Sequence, residues 1–188
     1  LPQRDGAEQH RHRRVEYHAV EVLLLLGVQN QDADAAVMAL AVLKQSALTH
    51  NSQWMRRFLA LSGAKLCPHG KTTMSPQLFR RQLADGAWGI TVATVQQLRV
   101  CREHGVGRVL MANQLVGRQA IGYVLDELAR DPAFDFHALV DSVAQAELLE
   151  RAASARRAGR PLALLLECGF AGGRTGCRTV EEALAVAR

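Results

Sequence analysis

The chain has 188 residues, 48% of them hydrophobic and 22% charged, with a formal net charge of +5. Those are globular proportions over enough length for one domain with a sizeable core, which excludes a disordered or bilayer-resident polypeptide. The excess arginines are scattered over helical segments without interleaved aromatics, so neither nucleic acid nor a membrane is expected as a partner.

In chain order, the first 36 residues read atypically, with Arg/His clusters followed by a leucine run. Residues 11–18 ahead of the apolar stretch 22–28 faintly imitate a signal peptide. The stretch is too short to cross a bilayer, and no convincing small-residue cleavage pattern follows. His10 and His12 could form a weak metal site, but residues 1–36 are expected to form a solvated or disordered tail, and 37–188 to fold. The four cysteines, Cys67, Cys101, Cys168 and Cys177, make no Cys-x-x-Cys pair, no zinc spacing and no secreted disulfide framework. A reducing, cytoplasmic setting is expected.

From residue 38 onward short apolar runs alternate with helical patterns. Strands are predicted over 40–43, 65–67, 89–93, 108–112, 136–140 and 162–167, short and mainly apolar, as strands covered on both faces should be. Helices are predicted over 50–61, 76–85, 95–104, 118–130, 143–158 and 180–187. Ser75-Pro76 supplies an N-cap and a first-turn proline, and Gly86, Gly105 and Gly159 follow helix ends where a left-handed residue is wanted. Strand–helix repeats without hairpin signals predict an α/β fold with a parallel sheet and right-handed crossovers. Open doubly wound sheet and (β/α)8 barrel both satisfy that pattern. A barrel takes roughly 250 residues, so about six βα units would make an incomplete one, and the chain reads as part of a longer protein.

The most informative segment is Ala64-Lys65-Leu66-Cys67-Pro68-His69-Gly70-Lys71-Thr72-Thr73-Met74-Ser75-Pro76. It places Lys71 at the C-terminal end of a strand, where α/β proteins keep reacting groups, and makes its amine a candidate Schiff-base former. Gly70-Lys71-Thr72 imitates the end of a nucleotide-binding P-loop, but the position of that motif's first glycine is Lys65, which rejects it. His69, two residues before Lys71, would point the same way from an extended strand and could stack on a ring, relay protons or simply hold the turn. Asn113 and Gln114 follow another strand, with amides suited to a cofactor or a carboxylate. Thr94 and Asp141-Ser142 hold equivalent positions, where capping of the next helix is an equal reading. Arg174 sits in Gly172-Gly173-Arg174-Thr175-Gly176, where glycines permit turns close to a ligand. Trp88 is read as core packing.

Pro68-His69-Gly70-Lys71-Thr72-Thr73-Met74-Ser75-Pro76 and Gly86-Ala87-Trp88-Gly89-Ile90-Thr91-Val92-Ala93-Thr94 resemble the D-serine dehydratase-like and D-threonine aldolase-like enzymes. These are fold-type III pyridoxal phosphate (PLP) enzymes related to the N-terminal barrel of alanine racemase. Within them the chain looks closest to the amino acid deaminases. The likeness runs from about residue 42 to the end and includes Met111-Ala112-Asn113-Gln114 and Gly172-Gly173-Arg174-Thr175-Gly176-Cys177-Arg178. The resemblance favours the TIM-type barrel, with 37–188 as the N-terminal part of it. It implies PLP as cofactor, Lys71 as the catalytic and PLP-bearing lysine, and Arg174 against the polar edge of the cofactor ring. His69, Asn113, Gln114 and Thr94 complete the expected cofactor site.

It further implies a lyase acting on D-amino acids, of D-serine dehydratase or deaminase type, giving a 2-oxo acid and ammonia. Retro-aldol cleavage of D-threonine and a non-catalytic PLP carrier are the alternatives. A divalent metal, zinc or manganese, belongs to the full-length family in a β-rich domain, so no metal ligand is assigned in this chain. A homodimer is implied for the full-length form, and the isolated fragment is expected to be inactive.

Overall fold

The computed structural model describes residues 43–157 and 159–188. The chain divides into two units, Leu1–Trp54 and Met55–Arg188. The first helix is α1 (Gln45–Ser62). The predicted tail, His10, His12 and most of the strand predicted at 40–43 lie outside the described residues. Leu43, the last residue of that run, is not in a strand.

In the second unit the elements follow as α2 (Pro76–Ala84), β1 (Ile90–Val92), α3 (Val95–Glu103), β2 (Arg108–Gln114), α4 (Arg118–Arg130), β3 (Asp135–Val140), α5 (Val143–Ala155), β4 (Ala163–Leu166) and α6 (Val180–Ala187). Helix starts are written into the sequence as hydroxyl caps. Ser75, Thr94, Ser142 and Thr179 each accept a hydrogen bond from the backbone N–H three residues on. Gly86 (φ 97°) and Gly105 (φ 77°) take the left-handed conformation predicted for helix ends. After α5 that role falls to Arg157 (φ 51°) instead of Gly159.

The four strands form one sheet in the order β1-β2-β3-β4, every pair parallel. The register pairs Val92 with Met111, Met111 with Ala138 and Val140 with Leu166, and slips between Met111 and Gln114. Right-twisted strands joined by helical crossovers accumulate into this arrangement. Among the described residues the result is an α/β parallel sheet of the incomplete-barrel type.

The predicted strand at 65–67 is not a strand of its own. Pro68 has no N–H to donate, so the ladder to β1 is built mostly from the other side. Trp88 N–H donates to Leu66 C=O (2.7 Å), Thr91 N–H to Pro68 C=O (2.8 Å) and Gly70 N–H to Thr91 C=O (2.8 Å). Only His69 and Thr91 satisfy a parallel bridge. The segment nevertheless runs beside β1 and delivers Lys71 to the same edge as the strand ends.

The core lies between the sheet and its helices. Val109 and Met111 of β2, and Phe136, Ala138 and Val140 of β3, alternate into it, with Phe79, Leu98 and Val124 covering them. Each fully buried Val, Leu or Phe is worth about 1.5–3 kcal/mol relative to exposure. A buried ion pair links two helices on this side: Arg102 Nε meets Glu127 at 2.9 Å and Arg102 Nη2 meets Asp131 at 2.6 Å. The Arg102 guanidinium also lies 3.9 Å from the centre of the Phe134 ring. The opposite face of the sheet is only half-buried. Trp88 sits there rather than in the main core, 4.5 Å from the Arg108 guanidinium and 5.2 Å from the His137 ring.

Candidate active site

Because the strands are parallel, their C-terminal ends share one edge, and the chemistry-bearing side chains collect there. Lys71 follows the extended segment directly. Gly70 explains its placement: a Cβ on Gly70 would stand 2.7 Å from Phe79 and 2.8 Å from Ile90, so the backbone passes close over the core as only glycine can. The chain then turns through Lys71–Thr73, and Met74 is held at φ 43°. Lys71 is exposed, and among the described residues its ammonium makes no hydrogen bond or ion pair. The extended geometry ends at the His69 bridge, so the alternation expected to align His69 and Lys71 does not carry through to Lys71. His69 is also exposed.

At the ends of β2 and β3 the polar groups are committed to one another. Asn113 Nδ2 donates to Ala93 C=O (3.2 Å), and its Oδ1 accepts from Gln114 N–H (3.1 Å). Gln114 Nε2 donates to Asp141 Oδ2 (3.0 Å) and to Glu167 Oε2 (2.8 Å). A side-chain amide has two N–H donors, and both are used here. Glu167 also accepts from Thr175 Oγ1 (2.7 Å), while Asp141 Oδ2 accepts from Gly176 N–H (3.0 Å). A brace thus runs from β2 across two carboxylates to the loop that carries Arg174. Thr94 caps α3, as its alternative reading had it, and Ser142 does the same for α5.

Arg174 is exposed and makes no hydrogen bond or ion pair among the described residues. Its neighbour Arg178 shapes the loop, donating to the carbonyls of Phe170 (2.8 Å), Thr175 (3.0 Å) and Gly173 (2.8 Å). Glu167, Thr175 and Arg178 thus join Asp141 at this edge, although composition and spacing gave those three no role. The available signal for Glu167 was its place at the end of a predicted strand, where an acidic residue meets the reactive edge.

Thr94, Asn113 and Gln114 line one open groove of about 720 Å³, together with Arg99 and Arg118. Lys71, His69 and Arg174 are not among its lining residues. The six expected site residues therefore share an edge without all sharing a pocket. The donor set, a primary amine and a guanidinium without partners among the described residues and an imidazole, suits a ligand with an aldehyde and anionic groups. PLP has that chemistry, and the residues present fit it.

A parallel sheet with an amine, carboxylates and arginines gathered at its C-terminal edge is the arrangement of an α/β enzyme site, and the family match identifies its class as the PLP fold-type III barrel. Residues 43–188 match the family model described as alanine racemase, N-terminal domain, and the chain belongs to that family. It is similar to the crystal structure of D-threonine aldolase from Filomicrobium marinum, at 28% identity and a TM-score of 0.69, over 78% of this chain and 39% of that one. It is also similar to D-threo-3-hydroxyaspartate dehydratase from Delftia sp. HT23, at 26% identity and a TM-score of 0.62, over 75% of this chain and 36% of that one. A mutant dehydratase of the same description in the metal-free form gives 29% identity and a TM-score of 0.59, over 69% of this chain and 33% of that one. The chain thus spans about two fifths or less of the length of these enzymes. Among curated proteins none matches it. No helix among the described residues is long and apolar enough to cross a membrane.

Proposed function

We propose that this chain is the lysine-bearing part of a PLP-dependent lyase acting on D-amino acids, of D-serine dehydratase or deaminase type. The observation that carries the reading is the exposed Lys71 amine, set at the C-terminal edge of the sheet by a glycine whose Cβ would collide with Phe79 and Ile90. PLP, when bound, supplies an electron sink for a carbanion at the substrate Cα. Lys71 Nζ holds the cofactor and, once displaced by substrate, is free to take the Cα proton. His69 stands two residues away as a second proton carrier. Arg174 is the group to pair with an anionic or polar edge of the ligand. Asn113, Gln114 and Thr94 act by position, since their hydrogen bonds are largely made within the protein.

The likeness to a D-threonine aldolase keeps retro-aldol cleavage as a second reading. Both reactions begin at the same lysine and differ in the bond broken afterwards. The elimination reading adds a divalent metal, zinc or manganese, and a homodimer, both contributed outside these residues. Turnover is proposed for a protein in which the barrel is completed, and this chain alone is expected to bind PLP without turnover.

Incubation with PLP followed by borohydride reduction and peptide mapping should place the label on Lys71, with none in Lys71→Ala. A label on another lysine, or none, would overturn the assignment. With the completed protein, 2-oxo acid and ammonia from D-serine support the dehydratase, whereas glycine and an aldehyde from D-threonine support the aldolase. PLP binding with neither product leaves the carrier reading.

A further inference from the structure

We propose that Cys168 and Cys177 are a peroxide-sensitive dithiol couple whose disulfide closes the loop carrying Arg174. All four cysteines are free thiols in this structure. Cys168 and Cys177, however, are direct partners in an isolated parallel bridge. Cys177 N–H donates to Glu167 C=O and Gly169 N–H to Cys177 C=O, both at 2.8 Å, which frames Cys168 opposite Cys177. Residues paired in this way project from the same face, on backbones about 4.8 Å apart. A disulfide accepts Cα separations of roughly 4.4–6.8 Å, so the bond can form without moving either backbone far.

The two thiols differ in the way such a couple needs. Cys168 is exposed, and Cys177 is only 4% exposed. An oxidant from solvent therefore meets Cys168 first. Burial first, and then the charge of Cys168, push the Cys177 thiol up, so the inner sulfur keeps its proton until it is needed. Its Sγ–H points to Asp141 C=O at 3.3 Å, a weak bond that is readily given up.

The chemistry balances with a hydroperoxide as oxidant. The Cys168 sulfur attacks the outer peroxide oxygen and the O–O bond breaks, giving a sulfenic acid and, from hydrogen peroxide, one water. The Cys177 sulfur then attacks the Cys168 sulfur. The S–S bond forms, the S–O bond breaks, and the hydroxyl leaves as a second water with the Cys177 proton. Two thiols have lost two electrons to one peroxide, and a dithiol reductant reverses the change.

The other cysteines make a poorer target. Cys101 is fully buried and pushed up to about 11, by burial and then by Cys67, while Cys67 is half-buried. Closing the Cys168–Cys177 ring would hold Arg174 and Thr175 against the strand ends. The couple rests on its own geometry and stands whether or not Arg174 meets a cofactor.

The test is to expose the chain to hydrogen peroxide, trap remaining thiols with a maleimide and map the peptides. The expected result is simultaneous loss of both labels, with a peptide joining Cys168 to Cys177 that dithiothreitol releases. Tryptic cleavage after Arg174 should slow in the oxidised chain. In Cys168→Ser, which alters an exposed side chain, Cys177 should keep its label under the same treatment. Sulfinic acid on Cys168 without the cross-link, a bond between two chains, or preferential pairing of Cys67 with Cys101 would each overturn the proposal.

Discussion

Gln114 Nε2 donates to Glu167 Oε2 at 2.8 Å across 53 positions of sequence, and the same nitrogen serves Asp141. One neutral amide thus separates two carboxylates that would otherwise face each other. Gln114→Leu should lower stability by about 1–3 kcal/mol, the usual effect of leaving such acceptors without a donor. Gln114→Glu should do worse at neutral pH and recover on acidification, as a third carboxylate is neutralised. Urea midpoints of the three proteins check this. An unchanged midpoint in Gln114→Leu would show that water replaces the amide freely.

Gly70→Ala tests the placement of Lys71. The added methyl would enter the space of Phe79 and Ile90. Overpacking of this kind costs about 1–3 kcal/mol. If the backbone shifts to relieve it, Lys71 shifts too, and the visible absorbance of bound PLP should weaken. Lys71→Ala should abolish that absorbance while leaving the melting temperature nearly unchanged, because an exposed side chain without partners contributes within about 0.5 kcal/mol.

The two loop arginines should separate cleanly. Arg178 holds three carbonyls, so Arg178→Ala should loosen residues 169–177 and speed proteolysis there. Arg174→Ala should leave proteolysis elsewhere in the loop unchanged and weaken PLP binding. Comparing protease sensitivity with PLP titrations distinguishes the two roles, and identical behaviour of the variants would remove the distinction.

Acid should attack the helix layer through Asp131. The Arg102 hydrogen bond first, and then the Ala133 N–H, hold its carboxyl below the usual carboxylate range. A carboxyl lowered by folding stabilises above its unfolded value, near pH 3.9, and that contribution fades as pH falls through the folded value. Thermal melts should therefore show a loss below about pH 4 that is smaller in Asp131→Asn. Equal acid sensitivity in both proteins would assign the loss to other groups.

Much of this architecture is legible in the sequence. Helices α4 and α6 occupy the residues predicted for them, because apolar spacing marks their extent and Thr179 caps α6. The strand at 65–67 was misread because apolar content says nothing of the missing donor at Pro68. The left-handed Arg157 was missed because glycine is the residue one looks for at a helix end. At the site, each strand-end residue could be named singly. The shared amide of Gln114 depends on the β2–β3–β4 alignment and on the register slip after Met111, neither of which local pattern reveals.

The turn that presents Lys71 lies between a glycine with no room for a methyl and a methionine at positive φ. Backbone aims the amine, and among the described residues the lysine side chain gives nothing back to the fold. Evolution could replace that residue without the chain registering the loss. Descendants that had abandoned the chemistry would still be made, fold and persist as well-formed, silent copies.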